Sequence, residues 1–231
     1  MIPNIDNRLF NLKIKDISFS VFDIETSLSA PAIANELSTN DYQIESIPFE
    51  KGDIIVDIGA HIGIVDIYLL KKFPFLKVIS FEPNSINYNN LIRNIEFNQI
   101  HNITVYNLGI TKDSREIELT IPMNNTGGGN AYVVEQNIPS TFKIKSKTTT
   151  LNNVFQTIDS CKLLKIDCEG AEFEIAESFK FLDRVKNISM EIHDFGNITH
   201  NSNMVDNLIN TYSKVPHFFY KIAKHPTDGM Y

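Results

Sequence analysis

Five short runs, DIIVDIG (53–59), KVISFE (77–82), ITVYNL (103–108), CKLLKID (161–167) and NISMEIH (187–193), read as strands. Each closes on or beside an acid, an amide, a glycine or a histidine. DIIVDIG is apolar at consecutive positions, the pattern of a strand covered on both faces. Between the runs lie segments of helical period. IGIVDIYLLKKF (62–73) stops just before Pro74, and SINYNNLIRNIEFN (85–98) repeats Ile86, Leu91 and Ile95 along one side. Further helices are expected over 170–181 and 203–214, and HFFYKIA (217–223) reads as a last strand. Strands alternating with helices imply an α/β fold: a mainly parallel sheet, right-handed crossovers and helices on both faces.

Two segments depart from this rhythm. REIELTI (115–121) and TFKIKSKTTTL (141–151) alternate apolar and polar residues around TGGGN (126–130), which predicts an inserted β-hairpin beside the sheet, with the three glycines as a mobile loop over the acceptor or, preferably, as the hairpin tip. Near the start, ISFSVFDI (17–24) has the two-residue period of a half-buried strand, and 27–46 shows no clear periodicity. We therefore expect an N-terminal cap or lid over 1–50 and one domain over 51–231. A chain of 231 residues has room for one α/β domain of full size and little more.

The charge balance narrows the function. A net charge of −7 argues against a partner held by phosphate contacts, so nucleic acid is not expected. Cys161 and Cys168 match neither a CxxC redox pair nor a zinc ligand set. No stretch approaches the length of a membrane span, and the first residues lack the order of a signal peptide, which together predict a cytoplasmic protein.

In a sheet of this type the ligand sits beyond the carboxyl ends of the strands. Those ends carry Asp57-Ile-Gly59-Ala-His61-Ile-Gly63, Glu82-Pro-Asn84, Asn107-Leu-Gly109, Asp167-Cys-Glu169-Gly-Ala-Glu172 and Glu191-Ile-His193. The first turn lacks the GxGxxG order that seats a pyrophosphate, and Asp57 would oppose one. The same carboxylate suits the ammonium and sulfonium charges of S-adenosylmethionine. Glu82, at the second strand end, can accept hydrogen bonds from two ribose hydroxyls. Asn107 and Gly109 border the adenine by position, although the pair suits any turn after a strand.

VDIGAHIG, SFEPNSINYNNLIRNIEFN and, most specifically, LLKIDCEGAE resemble the FkbM-type methyltransferases over about residues 50–195. The resemblance implies the class I, Rossmann-like methyltransferase fold, S-adenosylmethionine as methyl donor and a hydroxyl acceptor on a glycan or natural product. It places Asp57, Gly59, His61, Gly63 and Glu82, with Asn84 beside them, around the cofactor. Cys168 stands where the family commonly has valine, and little chain follows HFFYKIA for a final antiparallel strand. Two other readings stay open: a nonenzymatic nucleoside-binding module, and a nucleotide-sugar or NAD enzyme on a similar sheet.

Methyl transfer from a sulfonium needs alignment of donor and acceptor and removal of a hydroxyl proton. Asp167 is the first candidate for that base or for orienting the acceptor, Glu169 the second, and His193 a third whose ordinary pKa lies near neutrality. If a helix starts at Gly170, Glu169 and Glu172 face one side of its first turn, either as acids favoured by the helix dipole or as groups that reach the acceptor or a Mg²⁺ together with Asp167. The carboxylates alone do not specify Mg²⁺, and no metal ligand set is read from the sequence.

Overall fold

The computed structural model describes residues 6–123, 126–129, 141–194 and 202–224. The chain opens with a hairpin, β1 (Asn7–Ile14) and β2 (Ile17–Ile24), then α1 (Ser29–Thr39) and a 3₁₀ turn at Ile44–Ser46. The alternating core follows: β3 (Ile54–Ile58), α2 (Ile64–Lys72), β4 (Lys77–Phe81), α3 (Ser85–Phe97) and β5 (Ile103–Tyr106). The insertion contains β6 (Gly109–Ile110), β7 (Ile117–Pro122), β8 (Thr141–Ser146) and β9 (Thr148–Thr149). The chain then returns through α4 (Leu151–Phe155), β10 (Leu163–Ile166), α5 (Glu172–Ser178), β11 (Asn187–Asp194), α6 (Ser202–Tyr212) and β12 (His217–Lys224).

Six strands form one sheet in the order β12-β11-β10-β3-β4-β5, and every adjacent pair is parallel. The order reverses between β3 and β10, where a doubly wound sheet opens its crevice. This is the expected class I, Rossmann-like arrangement. At the outer edge β12 pairs directly with β11 over eight residue pairs, and no antiparallel strand joins the sheet among the described residues. β7 and β8 form the expected antiparallel hairpin as a separate two-stranded sheet. No described helix is long and apolar enough to cross a membrane.

The segment 27–46, read as aperiodic, holds a helix. Its buried stripe is Ala30, Ala34 and Leu37, a helical spacing carried mostly by alanines, which give little apolar contrast along the sequence. Pro31 falls in the first turn, where its missing N–H costs nothing, and Asn40 ends the helix in the left-handed region with φ 63°.

The N-terminal hairpin shares a hydrophobic cluster with α2. Leu12, Ile14, Phe19 and Val21 pack in the same group as Ile62, Ile67 and Leu69. Asparagines of α3 and its C-terminal cap fasten it. The buried Asn94 accepts from the Phe22 N–H at 2.6 Å and donates to the carbonyls of Phe22 (3.0 Å) and Ile62 (2.9 Å). Asn98 donates to the carbonyl of Ser20 at 2.7 Å. These amides satisfy backbone groups of β2 that no neighbouring strand reaches on that side.

Candidate active site

A cavity of about 320 Å³ opens beyond the carboxyl ends of β3, β4, β10 and β11. Gly59 decides the close approach of its floor. The glycine has φ +84°, and a Cβ there would stand 1.7 Å from the backbone oxygen of Asp167, so only glycine lets the first turn lie against the end of β10.

At one end Glu82 is 5% exposed and held by two backbone N–H groups, Asn84 donating to Oε1 and His61 to Oε2, each at 2.8 Å. Burial pushes its pKa up from 4.5 to about 7, against the pull of these two hydrogen bonds. A carboxylate has about four lone-pair sites, so two remain for further donors. Asn84 caps α3 by accepting from the Ile86 N–H at 3.0 Å. Asn107 donates to the carbonyls of Glu82 (2.8 Å) and Pro83 (3.2 Å), which braces this turn from outside the cavity wall. Gly109 belongs to the wall, whereas Gly63 begins α2 outside it.

The glycine segment, read as a hairpin tip, instead lines the cavity at Gly127, Gly128 and Gly129. Its anchor is the Thr126 carbonyl, which accepts from Asn84 Nδ2 at 3.3 Å and Asn87 Nδ2 at 2.9 Å. Amides at the start of α3 thus draw the connection back over the Glu82 end of the cavity. Asn130 and the rest of the connection lie outside the described residues.

Asp57 is 1% exposed and does not reach the cavity wall. Its Oδ1 accepts from Lys165 Nζ at 2.8 Å, and that ammonium also donates to the Gly59 carbonyl at 3.1 Å and stands 3.9 Å from Asp167 Oδ2. The cation facing Asp57 is therefore the chain's own lysine. Burial opposes the charge of Lys165, but Asp57 and Asp167 outweigh it and hold the ammonium protonated. Beneath the pair, Asp66 accepts from Ser80 Oγ at 2.7 Å, and burial beside Asp57 keeps its carboxyl well above the usual range. The reading of the strand ends missed Lys165; its signal was a lysine inside the short apolar run LLKI.

The other end of the cavity gathers Asp167, Glu169, Glu191 and His193, with Glu36 and Tyr42 from the N-terminal region opposite. Tyr42 donates to Glu36 at 3.0 Å, and Lys221 bridges Glu36 (3.0 Å) and Glu191 (3.4 Å) from outside the wall. No sequence signal marked Glu36, on α1, or Tyr42, between α1 and the 3₁₀ turn.

Glu172 departs most from its reading. It does not share a helical face with Glu169, because Glu169 precedes the helix in a left-handed conformation with φ 54°. Instead Glu172 is fully buried, and its Oε1 stands 2.6 Å from His193 Nδ1. On the other side of the ring, Nε2 stands 3.8 Å from Asp167 Oδ1 and 3.7 Å from Glu169 Oε2. Burial disfavours the imidazolium, but Glu172, Glu169 and Asp167 outweigh it and raise the His193 pKa to about 10. Burial likewise lifts Glu169 to about 8 and raises Glu191. Asp167, Glu191 and His193 each offer a metal-ligating atom, and these atoms lie within 4.8 Å of one another.

The chain is similar to several known methyltransferases. Residues 57–213 match the family described as the methyltransferase FkbM domain. "Methyltransferase 1" of Beauveria bassiana (strain ARSEF 2860) is 25% identical over 167 residues, 64% of this chain and 67% of that protein. "Methyltransferase sdnD" of Sordaria araneosa is 25% identical over 198 residues, 72% of this chain and 76% of that protein. A solved precorrin-6y C5,15-methyltransferase from Geobacter metallireducens GS-15 superposes with a TM-score of 0.45 and 10% identity, over 77% of this chain and 70% of that one.

Proposed function

The chain belongs to the FkbM methyltransferase family, and from that premise we propose that it uses S-adenosylmethionine to methylate a hydroxyl on a glycan or natural product. One observation carries the reading: a single cavity joins a buried carboxylate at the second strand end, Glu82, to the acids at the fourth, Asp167 and Glu169. The first suits a ribose, and the second suits an acceptor that must lose a proton.

The residues present fit the cofactor. Glu82 keeps lone pairs for two ribose hydroxyls after accepting from His61 and Asn84. The buried ring of His61 lines the same wall, and neither of its nitrogens has a hydrogen-bond partner among the described residues. Gly59, Gly109 and the 127–129 glycines leave backbone rather than side chains against a nucleoside. Bound there, S-adenosylmethionine supplies an electrophilic methyl on a sulfonium that departs as a neutral thioether.

The chain's own work is then placement and proton transfer. Asp167, 24% exposed and turned to the cavity, takes the acceptor hydroxyl as its hydrogen-bond donor. Glu169, beside it on the other flank of His193 Nε2, receives the proton as the O–H bond breaks, while the oxygen keeps the electron pair that bonds to the methyl carbon. Charge at the acceptor end supports this division: binding a nucleoside alone would not call for several acids there.

Calorimetry with S-adenosylhomocysteine and with NAD tests the reading. The expected result is clear binding of the first and little of the second. Binding of NAD without S-adenosylhomocysteine would favour a nucleotide enzyme, and cofactor binding without turnover on any hydroxyl acceptor would favour a binding module.

A further inference from the structure

We propose that Asp167, Glu191 and His193 form a binding site for one divalent metal ion at the acceptor end of the cavity. Ion binding stands on these residues alone; the use of the ion on an acceptor hydroxyl rests on the methyltransferase reading.

The strands deliver the three ligands. β10 and β11 run parallel with Ile166 beside Met190, so the next step sets Asp167 near Glu191. The two-residue period of β11 then brings His193 to the side that Glu191 occupies. Their ligand atoms lie within 4.8 Å of one another. Atoms bound to one ion at about 2.1 Å stand roughly 3 to 4 Å apart, so a small inward turn of the side chains closes the set.

Glu172 supplies what such a histidine needs. A metal-ligating histidine as a rule gives its other ring nitrogen to a carboxylate, which sets the tautomer and the direction of the ring. Here Glu172 takes Nδ1 at 2.6 Å, and Nε2, which releases its proton when it takes an ion, is the nitrogen on the side of Asp167 and Glu169.

The ring of His61, on the wall of the same cavity, also has room for a hydrogen-bond partner. His61, 8% exposed, lines this cavity with neither ring nitrogen hydrogen-bonded among the described residues. Water carried on an ion would give it a partner. Two carboxylates with one imidazole form a mixed hard and borderline set, which suits Mn²⁺. An ion held there would polarise an acceptor hydroxyl.

The test is a titration of Mn²⁺ into the chelator-treated full chain, followed by electron paramagnetic resonance, with and without S-adenosylhomocysteine. The expected result is saturable binding of one ion per chain. Glu191→Gln, at a partly exposed position, and Asp167→Asn should each weaken it by about tenfold or more, and Glu172→Gln by about 10- to 100-fold. All three should keep S-adenosylhomocysteine affinity within a few-fold of wild type, which shows that they fold. No saturable binding in wild type overturns the proposal, as does unchanged binding in both Glu191→Gln and Asp167→Asn. Because cofactor binding is read in the same samples, a missing ion with S-adenosylhomocysteine still bound removes this inference alone. A missing cofactor removes the reading beneath it.

Discussion

Glu172 Oε1 and His193 Nδ1 stand 2.6 Å apart, 21 residues apart in sequence, with both side chains buried. The acid belongs to the first turn of α5 and the histidine to β11, so their contact joins the two elements beside the acidic end of the cavity. Glu172→Ala leaves a buried imidazolium without its nearest counter-charge and should destabilise the fold by about 3 to 5 kcal/mol. A surface acid that only favours a helix dipole would cost about 1 kcal/mol or less. Chemical denaturation distinguishes the two, and a loss of under 1 kcal/mol would show that the contact contributes little.

Asp167→Asn keeps the shape of the strand end and removes its charge. Turnover on a hydroxyl acceptor should fall by roughly 10² or more, with affinity for S-adenosylhomocysteine within a few-fold of wild type. Single-turnover kinetics beside calorimetry measure both. Wild-type turnover in this variant would take Asp167 out of the chemistry.

Glu82 predicts a pH dependence. Its folded-state pKa is raised from 4.5 to about 7, so between these values the folded chain binds more protons than the unfolded chain. This group's contribution to stability is therefore fully present below about pH 4.5 and is lost as the pH rises through about 7. Cofactor affinity runs the other way, because ribose hydroxyls donate best to the ionised carboxylate. Calorimetry from pH 6 to 8 should show S-adenosylhomocysteine binding tighten as the pH rises. Glu82→Gln should flatten that profile and weaken binding at pH 8 by about 1.5 to 3 kcal/mol. A pH-independent affinity in wild type would contradict the assignment.

Asn94 should govern how the N-terminal hairpin is held. Asn94→Ala removes three hydrogen bonds and leaves the Phe22 N–H facing α3 without its acceptor, which should cost about 1 to 3 kcal/mol. Hydrogen exchange should show the Phe22 amide losing protection more than amides of β10. Equal protection in the variant and wild type would mean that β2 is held by its apolar face alone.

Sequence by itself determined the alternation of strands and helices, because consecutive burial in DIIVDIG and helical spacing in IGIVDIYLLKKF are local patterns that packing on a sheet demands. It also determined that Gly59, His61, Glu82, Asp167 and His193 would stand at strand ends, since a strand and its turn are read from adjacent residues. Tertiary structure alone decided what those groups face. Asp57 meets Lys165, 108 positions away, because β3 and β10 are neighbours in register, and Glu172 meets His193 because α5 folds back beside β11. Glu36 and Tyr42 reach the cavity because an alanine-striped helix docks on the core. In each case the partner was set by which elements became adjacent, and charge pairing across such distances leaves no periodic trace in the chain.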